Sequence, residues 1–131
     1  MKKILVTGAA GQIGSDLVPA LRERYGFSNV VAAGFETSLP EEMRAGGPFT
    51  TVDVTNFSQI NEVIKKYQIN TIFHMSSILS VLAEEDRRRA HLVNIDGLFN
   101  ILESALGNGV KTVVVPSSIA AFGDEIPRDP T

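Results

Sequence analysis

Cysteine is absent from the 131-residue chain, which excludes disulfides, thiolate metal sites and a cysteine nucleophile. Long apolar runs are absent as well. Lys2-Lys3 followed by Ile4-Leu5-Val6 begins like a secretory signal, but Gly8 cuts the run short. Nothing approaches the roughly 20 apolar residues of a membrane helix. A strong charge of one sign is also missing: 12 Lys+Arg against 15 Asp+Glu leave a net charge of −3. That balance argues against nucleic acid or an anionic membrane surface as the main partner. No Gly-Lys-Ser or Gly-Lys-Thr occurs, so a Walker-type nucleotide loop is excluded. His74 and His91 are too isolated in sequence to form a metal pair, and no carboxylate cluster supports one. What is present is ordinary for a cytoplasmic protein: 44% hydrophobic and 21% charged residues, and a length that suits one domain with its own core.

Strand-like and helix-like segments alternate along the chain. Lys3 to Thr7 is short, apolar and closed by a glycine, the pattern of a buried parallel strand. Gln12 to Tyr25 then takes helical spacing, with Ile13, Leu17, Ala20 and Leu21 on one face. Pro19 lies inside it and predicts a local kink, and Gly26 closes it. Asn29 to Ala33 is a second strand. Thr37 to Pro48 is a connection with a short helical turn around Glu41 to Arg44, and Phe49 to Val52 is a third strand. Asn56 caps a helix over Phe57 to Tyr67 whose apolar positions are Phe57, Ile60, Val63 and Ile64. Asn70 to His74 is a fourth strand, Met75 to Val81 a loop, and Glu84 to Leu106 a long helix with Val93, Gly97, Leu98, Ile101 and Ala105 along one side. Glu84-Glu85-Asp86 and Arg87-Arg88-Arg89 form its solvated start. Lys111 to Val115 is the fifth strand, and loop follows from Pro116. The fold class expected is therefore α/β: a Rossmann-type, doubly wound parallel sheet of about five strands in the order 3-2-1-4-5, without the sixth.

Gly8, Gly11 and Gly14 join the first strand to the first helix. In that context a glycine motif means phosphate binding. The first glycine permits the tight turn, the second lets the backbone approach a pyrophosphate, and the third lets the helix pack close to the sheet. The helix N-terminus, at Gln12 and Ile13, adds unpaired N–H groups and partial positive charge.

Thr7 to Gly14 (TGAAGQIG), Asp53-Val54, His74 to Ser77 (HMSS), Asn94 and Pro116 to Gly123 (PSSIAAFG) together resemble the extended short-chain dehydrogenase/reductases, the NAD-dependent epimerase/dehydratase group. Within that superfamily, GQIGSDLVPALRERYG, HMSSILS and VNIDGLFNILE are similar to the short-chain L-threonine 3-dehydrogenases, and the likeness covers the whole chain. Nucleotide-sugar epimerases share the outer motifs. The resemblance implies that Asp53, with Val54, meets the adenine, and that Met75, Ser76 and Ser77 line the adenosine and pyrophosphate side. It implies that Ser117 faces the cofactor, that Ser118 is the catalytic serine holding the substrate oxygen, and that Ser80 contacts the substrate. Asn94 also falls in the cofactor set, although an inward amide on that helix has a ready structural use in hydrogen bonds to backbone or water.

Two departures from the family pattern matter. The second strand of NAD-dependent members ends in an aspartate that binds the adenosine ribose; here Gly34 stands there, with Glu36 two residues on. The missing carboxylate leaves NADP open, but no Lys or Arg between Tyr25 and Met43 would neutralise its phosphate, so NAD is favoured. The family's Tyr-x-x-x-Lys pair is also not found: neither Tyr25 nor Tyr67 has a lysine four residues later. The expectation is the N-terminal, NAD(P)-binding part of a longer enzyme that oxidises L-threonine to 2-amino-3-ketobutyrate. A nucleotide-sugar epimerase or dehydratase and a non-catalytic NAD(P)-binding regulator are the alternatives. The partners expected are a small-molecule substrate and, through the long helix, a second copy in a homodimer.

Overall fold

The computed structural model describes residues 2–34, 39–76, 88 and 92–116. The first strand, β1 (Ile4–Thr7), is buried along its whole length, and its side chains alternate between two cores. Leu5 enters one, with Val31, Ala33, Ile60, Ile64, Ile72 and Ile101; Ile4 and Val6 enter the other, with Val18, Leu21, Val30, Ala32 and Met43. A strand apolar on both faces belongs in the middle of a sheet covered on both sides.

The remaining elements follow in the alternation expected. They are α1 (Gln12–Tyr25), a 3-10 turn (Phe27–Asn29), β2 (Val30–Gly34), α2 (Glu41–Ala45), β3 (Phe49–Thr51), α3 (Phe57–Tyr67), β4 (Thr71–His74), α4 (Gly97–Gly107) and β5 (Thr112–Val114). A π-helical stretch, Leu92–Asp96, runs directly into α4. All strand pairs are parallel, and the order is β3-β2-β1-β4-β5. β1 pairs with β2 through Ile4–Val30 and with β4 through Ile4–Thr71. Every crossover therefore delivers its following turn to the same, C-terminal edge of the sheet. Residues 35–38, within the second crossover, and most of the predicted segment from Met75 to Val93 lie outside the described residues, as does the chain beyond Pro116.

Helix α1 runs through Pro19 without interruption and stops at Gly26, whose φ of 105° and N–H bond to the Arg22 carbonyl end it. Its inward face differs from the apolar reading by one residue. Gly14, Val18, Leu21 and Arg22 are buried, whereas Ile13 is 60% exposed and Ala20 is on the surface. Two of the true inward positions are a glycine that permits close packing and an arginine with backbone partners, neither of which an apolar period reports. Arg22, 2% exposed, donates Nε to the Val30 carbonyl (3.3 Å), Nη1 to the Met43 carbonyl and Nη2 to the Pro48 carbonyl (2.7 Å). It thus ties α1 to β2, α2 and the entry to β3. Helix α3 buries Ile60, Val63 and Ile64 as read, but Phe57 stays 44% exposed. Helix α4 buries Gly97, Ile101, Ser104 and Ala105.

Candidate functional site

Three turns leave the C-terminal ends of β1, β3 and β4, and their geometry makes one surface. The β1–α1 turn is the tightest. Gly8 has φ of 65°, and a Cβ there would stand 2.7 Å from the Met75 carbonyl group and the Ser76 nitrogen. Only glycine allows this conformation and this approach together. A Cβ on Gly14 would overlap the Gly8 carbonyl oxygen, and one on Gly11 would come within 3.2 Å of it. The Gly11 N–H donates to that carbonyl at 3.0 Å. Gly11 is also the N-cap of α1, so it brings no side chain to the first-turn amides, and no acidic residue stands in that turn. The N–H groups of Gln12, Ile13 and Gly14 are left facing outward from a glycine cradle, the arrangement that accepts an anion.

The β4 turn is braced from beneath. Thr7 Oγ1 lies 2.8 Å from His74 Nδ1 and accepts from the Met75 N–H (3.1 Å) and the Ser76 N–H (3.3 Å). With two donors already directed at its oxygen, the hydroxyl proton goes to His74 Nδ1, which makes His74 the neutral Nε2–H tautomer. Burial pushes the His74 imidazole down to about 4. His74 is thus a structural histidine, and the backbone of Met75 and Ser76 is fixed close against Gly8.

The β3 turn carries Asp53 between two buried valines. Val52 and Val54 both enter the core at 3% and 4% exposure, and the strand alternation turns Asp53 outward. Asp53 Oδ1 accepts from the Thr55 N–H (2.9 Å) and the Thr55 hydroxyl (2.6 Å), while Oδ2 has no partner among the described residues. Val54 offers its backbone rather than its side chain to the surface.

Of the residues read as candidates, the structure brings Gly8, Gly11, Gln12, Ile13 and Gly14 to one edge of the sheet with Asp53, Val54, Met75 and Ser76. Ile13 brings its amide to that edge, while its side chain is exposed. Asn94 is half-buried in the π-helical stretch before α4 and makes a contact of its own. Ser77, Ser80, Ser117, Ser118 and Glu36 lie outside the described residues. The sequence reading missed Thr7, Gln59 and Asn100, which hold the turns. Only Gln59 had a visible signal, since it stands three residues after the cap Asn56 in capping-box spacing.

A parallel sheet in this order, with a glycine cradle at a bare helix N-terminus and a free carboxylate oxygen at the end of β3, defines a Rossmann-type dinucleotide-binding domain. The chain belongs to the NAD dependent epimerase/dehydratase family, which it matches over residues 4–131. The cofactor of that family is NAD, and the cradle fits a dinucleotide: its floor is the backbone that any added Cβ would fill.

Individual proteins sharpen the picture. The chain is 41% identical over 128 residues to an uncharacterized epimerase/dehydratase of Staphylococcus epidermidis, covering 98% of this chain and 40% of that protein. It is 37% identical over 130 residues to the mitochondrial L-threonine 3-dehydrogenase of Bos taurus, covering 99% of this chain and 34% of the enzyme. Among solved structures, L-threonine dehydrogenase from Clostridium difficile superposes with a TM-score of 0.89 at 43% identity, over 97% of this chain and 40% of that one. UDP-glucose 4-epimerase of Thermus thermophilus, in complex with NAD, gives 0.76 at 29% identity, over 86% and 36%. The chain thus spans less than half the length of these relatives. No helix among the described residues is long and apolar enough to cross a membrane.

Proposed function

We propose that this chain is the N-terminal, NAD-binding part of a short-chain L-threonine 3-dehydrogenase of the cytoplasm. The observation that carries the reading is the 43% identity and 0.89 TM-score over nearly the whole chain with a threonine dehydrogenase. The glycine cradle and the amides of Gln12, Ile13 and Gly14 hold the pyrophosphate. Asp53 Oδ2 accepts from the adenine amino group, and the Val54 N–H meets the neighbouring ring nitrogen. Met75, Ser76 and Ser77 line the adenosine and pyrophosphate side, and Ser117 faces the cofactor. Asn94 supports this site from the start of α4. Bound NAD supplies the acceptor for the hydride that leaves the 3-carbon of threonine. Ser118 hydrogen-bonds the reacting oxygen and Ser80 the amino acid, while the base that takes the hydroxyl proton is the tyrosine of a Tyr-x-x-x-Lys pair outside these residues.

Ile95, Phe99, Leu102 and Leu106 form an exposed apolar line along the π-helical stretch and α4, at 55%, 61%, 43% and 80% exposure. Their spacing of four, three and four residues suits helix-to-helix packing, and it supports a homodimer through this helix.

The second reading is a nucleotide-sugar epimerase, which the UDP-glucose 4-epimerase superposition favours. Calorimetric titration of this chain with NAD and with NADP tests the cofactor: tighter binding of NAD is expected, and preference for NADP would overturn it. The enzyme that carries this chain is expected to reduce NAD with L-threonine. Interconversion of UDP-glucose and UDP-galactose without threonine oxidation would decide for the epimerase.

A further inference from the structure

We propose that Gln59, aided by Asn100, is a positioning residue that presets the Asp53–Val54 turn to read the amino-purine edge of a dinucleotide. The inference rests on the reading that this turn faces the adenine.

The backbone of the turn is held from α3. Gln59 Oε1 accepts from the Asp53 N–H at 2.8 Å. The Gln59 N–H is itself bonded to Asn56 Oδ1 at 3.2 Å, so one residue of α3 holds both ends of the β3–α3 connection. The Asp53 carbonyl accepts from the Asn56 N–H at 2.9 Å. No peptide bond among the described residues is cis, so the C=O and N–H of the Asp53–Val54 peptide point in opposite directions. With the carbonyl turned toward α3, the Val54 N–H points away from it, and that N–H has no partner among the described residues.

Helix α4 holds the other flank. Asn100 Nδ2 donates to the Val54 carbonyl at 3.0 Å. Gly97 allows the approach, since a Cβ there would fall 2.8 Å from Val54 Cγ2. Thr55 occupies Asp53 Oδ1. What the turn presents outward is one acceptor, Asp53 Oδ2, beside one donor, the Val54 N–H.

Adenine offers the complement: an amino donor next to an acceptor ring nitrogen. Hypoxanthine reverses both, with a carbonyl oxygen next to a ring N–H. A turn held in this geometry discriminates between the two bases, because the wrong one leaves an acceptor facing an acceptor and a donor facing a donor. Removing the Gln59 acceptor frees the Val52–Asp53 peptide, whose N–H it holds, so that Asp53 shifts its Oδ2 relative to the Val54 N–H and the discrimination weakens without removing either reading group.

The test is calorimetric titration of the chain with NAD and with nicotinamide hypoxanthine dinucleotide, alongside thermal unfolding. The unsubstituted chain is expected to prefer NAD by about tenfold or more. Gln59→Met is expected to cut that preference by at least about threefold at nearly unchanged Tm, since Gln59 is exposed. Gln59→Glu, which keeps an acceptor at the same atom, is expected to restore it. Preference kept in Gln59→Met but lost in Asp53→Ala would overturn the positioning role and leave the Asp53 reading intact. Equal weakening of both dinucleotides with a lowered Tm would make Gln59 merely a helix cap and would also overturn it. No preference in the unsubstituted chain would overturn both the inference and the adenine reading beneath it.

Discussion

The Thr7 hydroxyl has one proton and two lone pairs, and all three are committed, to His74 Nδ1 and to the Met75 and Ser76 amides. Thr7→Val keeps the shape but leaves the Ser76 N–H and an imidazole nitrogen unanswered in a site where Thr7 is 1% exposed, the Met75 N–H retaining the Thr7 backbone carbonyl at 3.2 Å. A loss of about 1–3 kcal/mol is expected by chemical denaturation, with Thr7→Ser close to the original. Burial of the His74 ring also makes stability depend on pH. His74 has its folded pKa lowered by burial to about 4, against an ordinary 6.5. Above 6.5 the imidazole is neutral folded and unfolded, and its contribution is complete. As pH falls from 6.5 toward 4 the unfolded chain takes up a proton that the folded one refuses, so stability declines, by roughly 3 kcal/mol at most. Urea midpoints measured across that range should fall in the original and much less in His74→Asn, whose Oδ1 can accept the same bond. An unchanged slope would show that other groups govern the acid limb.

Helix α1 is anchored by a side chain whose partners all come from other segments. Arg22 meets carbonyls of Val30, Met43 and Pro48, and its guanidinium lies beside Gly47, where a Cβ would stand 2.8 Å from Nε. Arg22→Met preserves much of the stem but removes a donor from three carbonyls, of which that of Pro48 keeps the Ala32 N–H, and this predicts a loss of about 2 kcal/mol or more. Hydrogen exchange should place the damage: amides of α2 and of β2 near Val30 should lose protection first, while α3 and β4 keep theirs. Uniform loss across all elements would instead mean that α1 and the sheet unfold as one unit. The two other helices that reach the candidate site work differently. Helix α3 contributes Gln59 and α4 contributes Asn100 and Gly97 to a single turn, so their packing against one another bears directly on what Asp53 presents.

For the molecule as a whole, the sheet has two open flanks among the described residues: β3 and β5 are its outer strands, and Phe49 and Val114 on them are 46% and 38% exposed. Self-association therefore has two physical routes, the apolar line from Ile95 to Leu106 or edge pairing at β5. For the homodimer proposed through α4, replacing Phe99 and Leu106 together by glutamate is expected to leave a monomer in sedimentation equilibrium, since each charge would be buried against an apolar partner. A dimer that survives this pair points to the β5 edge.

The element order, the parallel sheet and its 3-2-1-4-5 topology were legible in the chain itself. Short β-branched runs alternating with helical spacing allow few other arrangements once crossovers are right-handed. The glycine turn was legible because much of its steric demand is local: Gly8 takes a φ of 65°, and Gly11 and Gly14 pack against the Gly8 carbonyl. The inward face of α1 was not, because Gly14 brings no apolar side chain and Arg22 is held by carbonyls 8, 21 and 26 residues further on, not by apolarity. Thr7 and Asn100 were hidden for the same cause, their partners being 67 and 46 residues distant, whereas Gln59, 6 residues from Asp53, showed only as capping-box spacing. Local sequence determined which segments form and in what order they pair, since propensity and sterics act between neighbours. Only the tertiary structure decided which donors and acceptors the turns present at the edge of the sheet, because that depends on which buried groups are already satisfied by residues brought in from elsewhere in the chain.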